Sequence, residues 1–214
     1  MRFIHEEQIQ DAASYEPLNE GLAWLRGVCE RREVPAIRRQ TEPLFKRILE
    51  EDRPARILEI GTAIGYSACF MATVLPAAQI TTIEVYDRSF YDAKEAIERL
   101  GLTDRIEQIL GDAAEVLPRL ADEGRQYDLV FIDAAKSHYR TYYEESLAMM
   151  KKGGLILCDN LSLGASLSDP GEGDRRHRTS AKRMERFLEE LAQDTRVETT
   201  FYETGDGFSV SRIL

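Results

Sequence analysis

The chain has 214 residues, of which 43% are hydrophobic and 31% charged, as is ordinary for a globular protein of one large domain. This composition excludes a chain that is disordered throughout, because enough apolar side chain is present to form a core. The formal net charge of −10 excludes a uniformly basic surface for nucleic acid, although it allows a local basic patch.

The N-terminal segment, residues 1–50, is predicted to be a helical extension. Its apolar residues recur at three- and four-residue steps, which is typical of one helix face. The residues of this face are Leu18, Leu22, Leu25, Val28 and Cys29. A second helix is predicted over residues 41–50. Since Trp24, Leu25 and Val28 supply more apolar surface than a covering layer needs, we expect a homodimer formed through this extension.

From residue 56 onward, short apolar runs alternate with helical segments. The predicted strands cover residues 56–60, 79–84, 105–110, 127–133 and 155–159, and the predicted helices lie near residues 66–75, 89–100, 113–120 and 139–150. Strict β/α alternation favours right-handed crossovers and a parallel sheet. Two last strands, 196–202 and 207–213, predict an antiparallel hairpin. The expected fold is therefore α/β, a mostly parallel doubly wound sheet in a single domain over residues 1–214, with its core in residues 56–214.

The cysteines and the apolar segments of the sequence indicate the cellular compartment in which the protein is expected. Cys29, Cys69 and Cys158 lie far apart without a Cys-x-x-Cys spacing, and we predict buried free thiols in a reducing cytoplasm. The N-terminal residues lack the apolar stretch of a signal peptide. Residues 60–83 carry no charge and are long enough to span a bilayer, but glycine, proline and polar residues interrupt them. We interpret this segment as part of a buried α/β core.

Glycines and carboxylates follow the first three core strands, where ligands of open α/β sheets bind. Gly61 and Gly65 permit a tight turn and a close approach of a ligand to the backbone. Glu84 ends the second strand, 23 residues after Gly61, and a carboxylate there can accept hydrogen bonds from both hydroxyls of a ribose. Asp112 follows the third strand and can accept from an adenine amino group. These positions predict a site for an adenosine-containing cofactor.

The glycine loop distinguishes two such cofactors. Dinucleotide sites usually carry G-x-G-x-x-G, because a pyrophosphate sits against a helix N-terminus, and this loop lacks the middle glycine. S-adenosylmethionine has no phosphate and needs an acceptor for its amino group and donors for its carboxylate. Glu59, Ser67 and the loop backbone can supply them. The pattern therefore favours S-adenosylmethionine over the cofactor of an NAD-dependent oxidoreductase.

The fourth and fifth core strands end in a different chemistry. Asp133 follows one of them, and Asp159 and Asn160 follow the other. Neighbouring strands lie about 4.8 Å apart. If these two strands are neighbours, the two carboxylates face each other and repel unless a proton or cation lies between them. Three hard oxygen donors without His or Cys suit Mg²⁺, Mn²⁺ or Ca²⁺ rather than Zn²⁺.

Residues 56–164 resemble the cation-dependent O-methyltransferases related to catechol and caffeoyl-CoA O-methyltransferases. The stretches that carry the resemblance are residues 57–67, residues 131–136, and Asp159-Asn160 followed by Gly164. The resemblance implies a Rossmann-like class I methyltransferase in which Asp133, Asp159 and Asn160 hold the metal and Lys136 stands where the family places its proposed base. The cofactor-binding residues expected on both grounds are Val34, Glu59, Gly61, Gly65, Ser67, Glu84, Asp112, Ala113 and Asp133, and the catalytic residues are Lys136 and Asp133.

A closer resemblance is to bacterial tRNA 5-hydroxyuridine methyltransferases, which make 5-methoxyuridine at the wobble position. Residues 61–68, residues 133–136, Val34-Pro35 and a basic stretch over residues 175–186 carry it. That stretch holds six Lys or Arg and one Glu, a local charge of +5, while the rest of the chain is at −15. A phosphate-binding patch is therefore expected. Its residues would be Arg175, Arg176, Arg178, Lys182 and Arg183, with Arg31, Arg32, Arg38 and Arg39 as an extension.

Other functions stay open at this point. The catechol enzyme has an aromatic residue at the place of Ala135, so its absence leaves a more open site, and the acceptor is either tRNA or a small catechol or phenol. A non-catalytic module that binds cofactor or RNA is a further alternative. The combination of Asp133, Asp159, Asn160 and Lys136 favours an enzyme over such a module.

Overall fold

The computed structural model describes residues 2–4, 16–161 and 175–214, the last range in its backbone only up to residue 179. Its strands are β1 (Arg2–Ile4), β2 (Arg56–Ile60), β3 (Gln79–Glu84), β4 (Ile106–Leu110), β5 (Tyr127–Ile132), β6 (Met150–Cys158), β7 (Val197–Tyr202) and β8 (Phe208–Ile213). Its helices are α1 (Glu20–Arg32), α2 (Glu42–Asp52), α3 (Tyr66–Val74), α4 (Asp87–Arg99), α5 (Ala113–Asp122), α6 (Tyr139–Leu147) and α7 (Arg175–Gln193), with a short 3₁₀ turn at Lys136–His138.

Among the described residues, the eight strands form one sheet in the order β1-β7-β8-β6-β5-β2-β3-β4. Strands β2 to β6 pair in parallel, whereas β8 pairs antiparallel with both β6 and β7. The predicted α/β class, with its parallel core and C-terminal hairpin, is therefore confirmed. The order also places β2 in the middle of the parallel strands, where the chain reverses its direction of winding and where α/β sheets bind ligands.

Two elements differ from the prediction. Strand β1 was not expected, since three residues carry no readable periodicity; it pairs in parallel with β7, and the ring of Phe3 stacks on Phe201 at 5.1 Å. Strand β6 begins at Met150 rather than at residue 155, and the preceding helix ends at Leu147. A shift in register between Tyr127 and Leu129 accommodates the extra residues of β6, so that pairing with β5 extends beyond the apolar run.

The parallel strands are apolar throughout because helices cover both faces of the sheet. Side chains alternate between the faces: Leu129 and Phe131 belong to the core under α1, α2 and α3, while Val130 and Ile132 belong to the core under α5, α6 and α7. Helix α3 is buried on nearly all sides. The three cysteines are buried and free, as predicted. Within the described ranges, the helices are too short or too polar to cross a membrane.

The N-terminal extension packs on α3 through a buried polar cluster. Arg26 forms an ion pair with Glu42, its guanidinium carbon lies 3.9 Å from the centre of the Tyr66 ring, and the Tyr66 hydroxyl donates to Glu42 at 2.8 Å. Leu25 is buried in the core of its own chain, whereas Trp24 is partly buried and has Arg99 above its ring at 4.1 Å. The homodimer stays a prediction, and Leu25 would not be part of its surface.

Candidate active site

The carboxyl ends of the five parallel strands lie side by side. Ile60 pairs with both Ile83 and Ile132, and Ile132 pairs with Cys158, while Glu84 pairs with Leu110. The residues that follow these positions therefore meet at one edge of the sheet. Those brought together are Gly61, Glu84, Asp112, Asp133 and Asp159, and the neighbouring strands that were expected to carry the two aspartates are confirmed as β5 and β6.

The loop after β2 requires glycine for both conformation and space. Gly61 has a φ of +101°, and a Cβ placed on it would lie 2.1 Å from the backbone oxygen of Asp133. Gly65 has a φ of +85° and donates its N–H to the oxygen of Thr62 at 2.8 Å. A side chain at Gly61 would thus separate β2 from the strand end that carries Asp133.

Glu84 holds this loop in place. Its carboxylate accepts the backbone N–H of Ala63 at 2.8 Å and those of Val85 and Tyr86 at 2.9 Å each. Ala63 itself has a φ of +47°, an uncommon conformation for a residue with a side chain. Glu84 therefore organises the glycine loop, a role that its position in the sequence did not reveal, and its binding to ribose stays a prediction.

Glu59 lies beneath the loop and is fully buried. The Thr82 hydroxyl donates to it at 2.5 Å and is itself within 2.5 Å of the Thr62 hydroxyl. Burial raises the pKa of Glu59 to about 8, although hydrogen bonds from Ser67 and Thr82 oppose this shift. The carboxyl therefore retains its proton at neutral pH and reaches the loop through neighbouring hydroxyls.

The remaining predicted cofactor residues lie at two places. Asp112 caps α5, accepting the N–H of Ala114 at 2.9 Å, and is exposed beside the buried Ala113. Val34 follows α1, is partly buried against the core, and donates its N–H to Cys29 at 3.0 Å. Contact of these residues with a cofactor stays a prediction.

Asp133, Asp159 and Asn160 form a hydrogen-bonded cluster. The Asn160 side-chain amide donates to Asp133 Oδ1 at 2.6 Å, and its backbone N–H donates to Asp159 Oδ1 at 2.9 Å. Asn160 has a φ of +58°, in the left-handed region that Asn tolerates better than most residues. The Tyr139 hydroxyl donates to the backbone oxygen of Asp159 at 2.8 Å and fixes the start of the loop.

Both carboxylates stand in an environment that disfavours their charge. Burial raises the pKa of Asp133, while the Asn160 hydrogen bond and Lys136 oppose the shift. Burial, together with repulsion from Asp133, raises the pKa of Asp159. The Oδ2 atom of Asp159 is buried and has no hydrogen-bond partner among the described residues. Such a pair is stabilised by added positive charge.

This donor set fits a hard divalent cation. Two carboxylates, one with an unpartnered oxygen, and one carboxamide are the oxygen ligands that Mg²⁺ and Ca²⁺ prefer. In the described part of the chain, no three His, Cys, Asp or Glu side chains cluster as metal ligands do. The third protein ligand would therefore be the amide oxygen of Asn160.

Lys136 begins the 3₁₀ turn just after Asp133 and is half-buried. Helix α7 packs against this turn, and Phe187 lies edge-on to Tyr139 with the ring centres 6.0 Å apart. Lys182 and Arg183 are exposed on the same helix. The side chains of Arg175, Arg176 and Arg178 lie outside the described residues.

The predicted basic extension is largely neutralised by acidic neighbours. Arg32 pairs with Asp92 at 3.0 Å, Arg38 with Asp206 at 2.6 Å, and Arg39 with Glu30. Asp206 lies in the turn between β7 and β8. The neighbouring Gly207 accepts the backbone N–H of Leu161 at 3.1 Å, two residues after Asp159, so the β7–β8 turn lies at the edge of the candidate site. The charge of Asp206 raises the pKa of both Asp133 and Asp159.

Comparison with known proteins identifies the family of this arrangement. The O-methyltransferase family profile matches residues 17–214. A catechol O-methyltransferase from Niastella koreensis is 32% identical over 149 residues, covering 69% of this chain and 66% of that protein, and one from Mycobacterium tuberculosis is 30% identical over 161 residues, covering 74% and 71%.

Solved structures extend the comparison to the whole chain. An O-methyltransferase from Bacillus cereus in complex with SAH superposes with a TM-score of 0.80 at 26% identity, covering 98% of this chain and 96% of that one. The O-methyltransferase TomG from Streptomyces achromogenes, in complex with SAM, gives a TM-score of 0.78 at 28% identity, covering 91% and 90%.

Proposed function

The chain belongs to the O-methyltransferase family, and on that premise we propose that it transfers a methyl group from S-adenosylmethionine to an acceptor hydroxyl with the help of a divalent cation. The observation that carries this proposal is the pair of the half-buried Asp133 and the buried Asp159, bridged by Asn160. Similar structures in complex with SAH and SAM support the donor. The all-oxygen ligand set supports the cation, with Mg²⁺ as the first choice.

S-adenosylmethionine supplies a methyl group on a positively charged sulfur. Glu84 uses one Oε2 and two Oε1 contacts for backbone N–H groups, and since each carboxylate oxygen has two lone pairs, Oε2 retains a lone pair for a ribose hydroxyl. Asp112 uses Oδ1 for its cap, which leaves Oδ2 for the adenine amino group. Ser67, at the start of α3, is the side chain that we assign to the methionine part.

A divalent cation held by Asp133, Asp159 and Asn160 would supply the charge that lowers the pKa of an acceptor hydroxyl. The chain itself aligns the acceptor oxygen with the methyl carbon and the sulfur. Lys136 follows Asp133 by three residues, and in its neutral form it is the side chain that we assign to receive the proton of the hydroxyl.

The acceptor that we propose is 5-hydroxyuridine in tRNA, which becomes 5-methoxyuridine. Its 5-hydroxyl and 4-carbonyl are neighbouring oxygens that one divalent cation could chelate. The basic start of α7 supports this acceptor, because the helix packs on the turn that carries Lys136 and exposes Lys182 and Arg183. The negative net charge of the whole chain limits the long-range attraction of RNA to this basic start of α7.

A small catechol or phenol is the second candidate acceptor. Two relatives at 30% and 32% identity are named catechol O-methyltransferases, which favours this acceptor. Ala135 is small and exposed and leaves the site open, which also allows a small acceptor. A catechol presents vicinal hydroxyls and needs no contact with the basic stretch.

Two measurements test the acceptor. Mass spectrometry of tRNA nucleosides from cells with and without the gene should show 5-methoxyuridine only when the gene is present. In vitro, changing Arg175, Arg176 and Arg178 together to Ala should strongly reduce methylation of hydroxyuridine-containing tRNA and lower the salt slope of tRNA binding by up to about three. The same change should leave methylation of a catechol unaltered.

A matched control removes the same charge elsewhere. Arg53, Lys151 and Lys152 are exposed at the opposite edge of the sheet, and their joint change to Ala should affect neither acceptor. If the triple arginine variant loses methylation of tRNA and of catechol equally, the basic stretch has a structural role instead of binding RNA. Methylation of a catechol without any methylation of tRNA would establish the second candidate.

A further inference from the structure

A buried polar cluster contacts the start of helix α3 from the side of the N-terminal extension. Glu42 Oε1 accepts two hydrogen bonds, one from the Tyr66 hydroxyl at 2.8 Å and one from Nη2 of Arg26, with which Glu42 forms an ion pair. The Arg26 and Glu42 side chains are only 8% and 5% exposed. Side chains from α1, α2 and α3 therefore meet at one carboxylate oxygen.

Aromatic rings pack beside the tyrosine of this cluster. The Tyr66 ring stacks on Phe70 with the ring centres 6.4 Å apart, and Phe70 stacks on Phe45 at 5.7 Å. A buried ion pair adds little net stability, because the desolvation of both charges offsets their attraction. Stability therefore does not account for charged groups at this place, whereas a hydrogen bond with a fixed direction can define one orientation of the helix.

The start of α3 needs such a contact because the loop before it is conformationally permissive. The loop runs from Gly61 to Gly65, which have φ values of +101° and +85°. Glycine restricts the backbone less than any other residue, so it does not fix the direction in which a helix begins. Glu84 holds the middle of the loop, and Gly65, the N-cap of α3, has no side chain that could cap the helix. The orientation of the first turn therefore depends on contacts that its own residues make.

Tyr66 and Ser67 attach this first turn on two sides. Tyr66 is the first residue of α3 and donates to Glu42 of α2, while Ser67, the next residue, forms a hydrogen bond with Glu59 of β2. Successive residues of an α-helix point about 100° apart, so the two bonds restrain the rotation of the turn from different directions. If the Tyr66 bond is lost, a rotation of the turn carries Ser67 with it.

We propose that Glu42, through the Tyr66 hydroxyl, positions the glycine loop and Ser67 for S-adenosylmethionine. The inference rests on the proposed function, because it assumes that this loop binds the cofactor. Glu42 and Tyr66 are positioning residues, since they act through the backbone on either side of Tyr66. Arg26 fixes the carboxylate, and its guanidinium carbon lies 3.9 Å from the centre of the Tyr66 ring. The N-terminal extension thereby takes part in building the cofactor site.

Isothermal titration calorimetry of the full chain with S-adenosylhomocysteine tests the inference. Tyr66→Phe keeps the ring and removes only the hydroxyl. It should weaken binding by about three- to tenfold, as expected when about a third to a tenth of the chains keep the competent orientation.

The matched control is Tyr143→Phe. Tyr143 is also buried and donates to a carboxylate, that of Asp194, at 3.0 Å, but it belongs to the core on the other face of the sheet. In urea unfolding, both tyrosine variants should lose a similar part of their stability, because each loses one hydrogen bond to a carboxylate. Tyr143→Phe should nevertheless bind S-adenosylhomocysteine within about twofold of the wild type.

A second pair of variants isolates the acceptor at position 42. Glu42→Gln and Glu42→Met both remove the charge that faces Arg26, but only Glu42→Gln keeps an oxygen that can accept the Tyr66 hydroxyl. Both should unfold at a lower urea concentration than the wild type. Glu42→Gln should bind S-adenosylhomocysteine about three- to tenfold more tightly than Glu42→Met does.

The two pairs of variants give outcomes that support or overturn the inference. Wild-type affinity in Tyr66→Phe would overturn it, and so would equal weakening in Tyr66→Phe and Tyr143→Phe, since a general loss of stability would then explain both. Equal affinities of Glu42→Gln and Glu42→Met would overturn it as well. If the wild-type chain binds no S-adenosylhomocysteine, the proposed function fails first and the inference falls with it. If the Glu42 variants do not fold, the comparison of the two tyrosine variants still decides.

Discussion

Asn160 donates its side-chain amide to Asp133 Oδ1 at 2.6 Å and thereby joins the ends of β5 and β6. The same residue gives its backbone N–H to Asp159, so one side chain and one peptide group bridge a half-buried and a buried carboxylate. A carboxamide carries both a donor and an acceptor at its end. Asn160 can therefore stabilise the pair by donation and can also present its oxygen to a cation.

The first prediction concerns Asp159 and the folding stability that is lost by burying its carboxylate. Asp159→Asn should abolish methyl transfer, because it removes a carboxylate from the cation ligands, while S-adenosylhomocysteine still binds. Without cation and above about pH 8, where Asp159 is charged because its pKa is raised only to about 8, the variant should be more stable than the wild type by about 1–3 kcal/mol, since its buried unpartnered atom carries no charge. Urea unfolding in EDTA measures this change, and full methylation by the wild type in EDTA would contradict the metal assignment.

The second prediction concerns Glu84. Glu84→Ala should weaken binding of S-adenosylhomocysteine by about 1–3 kcal/mol, because ribose hydroxyls and three backbone N–H groups lose a charged acceptor. Isothermal titration calorimetry measures the change. Glu95→Ala, on the exposed side of α4, is the matched control and should bind as the wild type does. Unchanged affinity in Glu84→Ala would remove Glu84 from the cofactor site.

The third prediction concerns Gly61. Gly61→Ala should lower the free energy of unfolding by more than about 3 kcal/mol, since its Cβ would lie 2.1 Å from the backbone oxygen of Asp133 in addition to the strain of a positive φ. Gly124 also has a positive φ, of +69°, but nothing lies within 4 Å of its added Cβ. Gly124→Ala should therefore cost only about 1–2 kcal/mol. Equal costs in the two variants would show that the close approach is not a constraint.

The fourth prediction concerns pH. The pKa of Glu59 is about 8 in the folded chain, above its usual 4.5, so between these values the folded chain holds this proton more tightly than the unfolded chain does. The free energy of unfolding in EDTA should therefore fall as the pH rises through this window, and burial of Asp133 and Asp159 acts in the same direction. In urea unfolding, Glu59→Gln should make the decrease of the unfolding free energy with pH shallower. If the pH dependence of the variant equals that of the wild type, Glu59 is not its source.

Much of the fold could be predicted because the apolar runs are clearly bounded. Strands β2 and β3 begin and end at the predicted residues, since an exposed polar residue precedes a run of four buried positions in β2 and of five in β3. Strand β6 was predicted too short, because its first residues pair with β5 only through a shift in register. Strand β1 has three residues and owes its existence to pairing with β7, so no local pattern could predict it.

By itself, the sequence determined which residues end each strand and which chemistry they carry, because these features depend on local periodicity and on residue type. Only the tertiary structure decided which strand ends are neighbours, since strand order follows from long-range packing. It placed β5 between β2 and β6, which brought Asp133 and Asp159 together. It also joined Arg38 to Asp206 across 168 residues of chain, a contact for which neither segment carries a local signal.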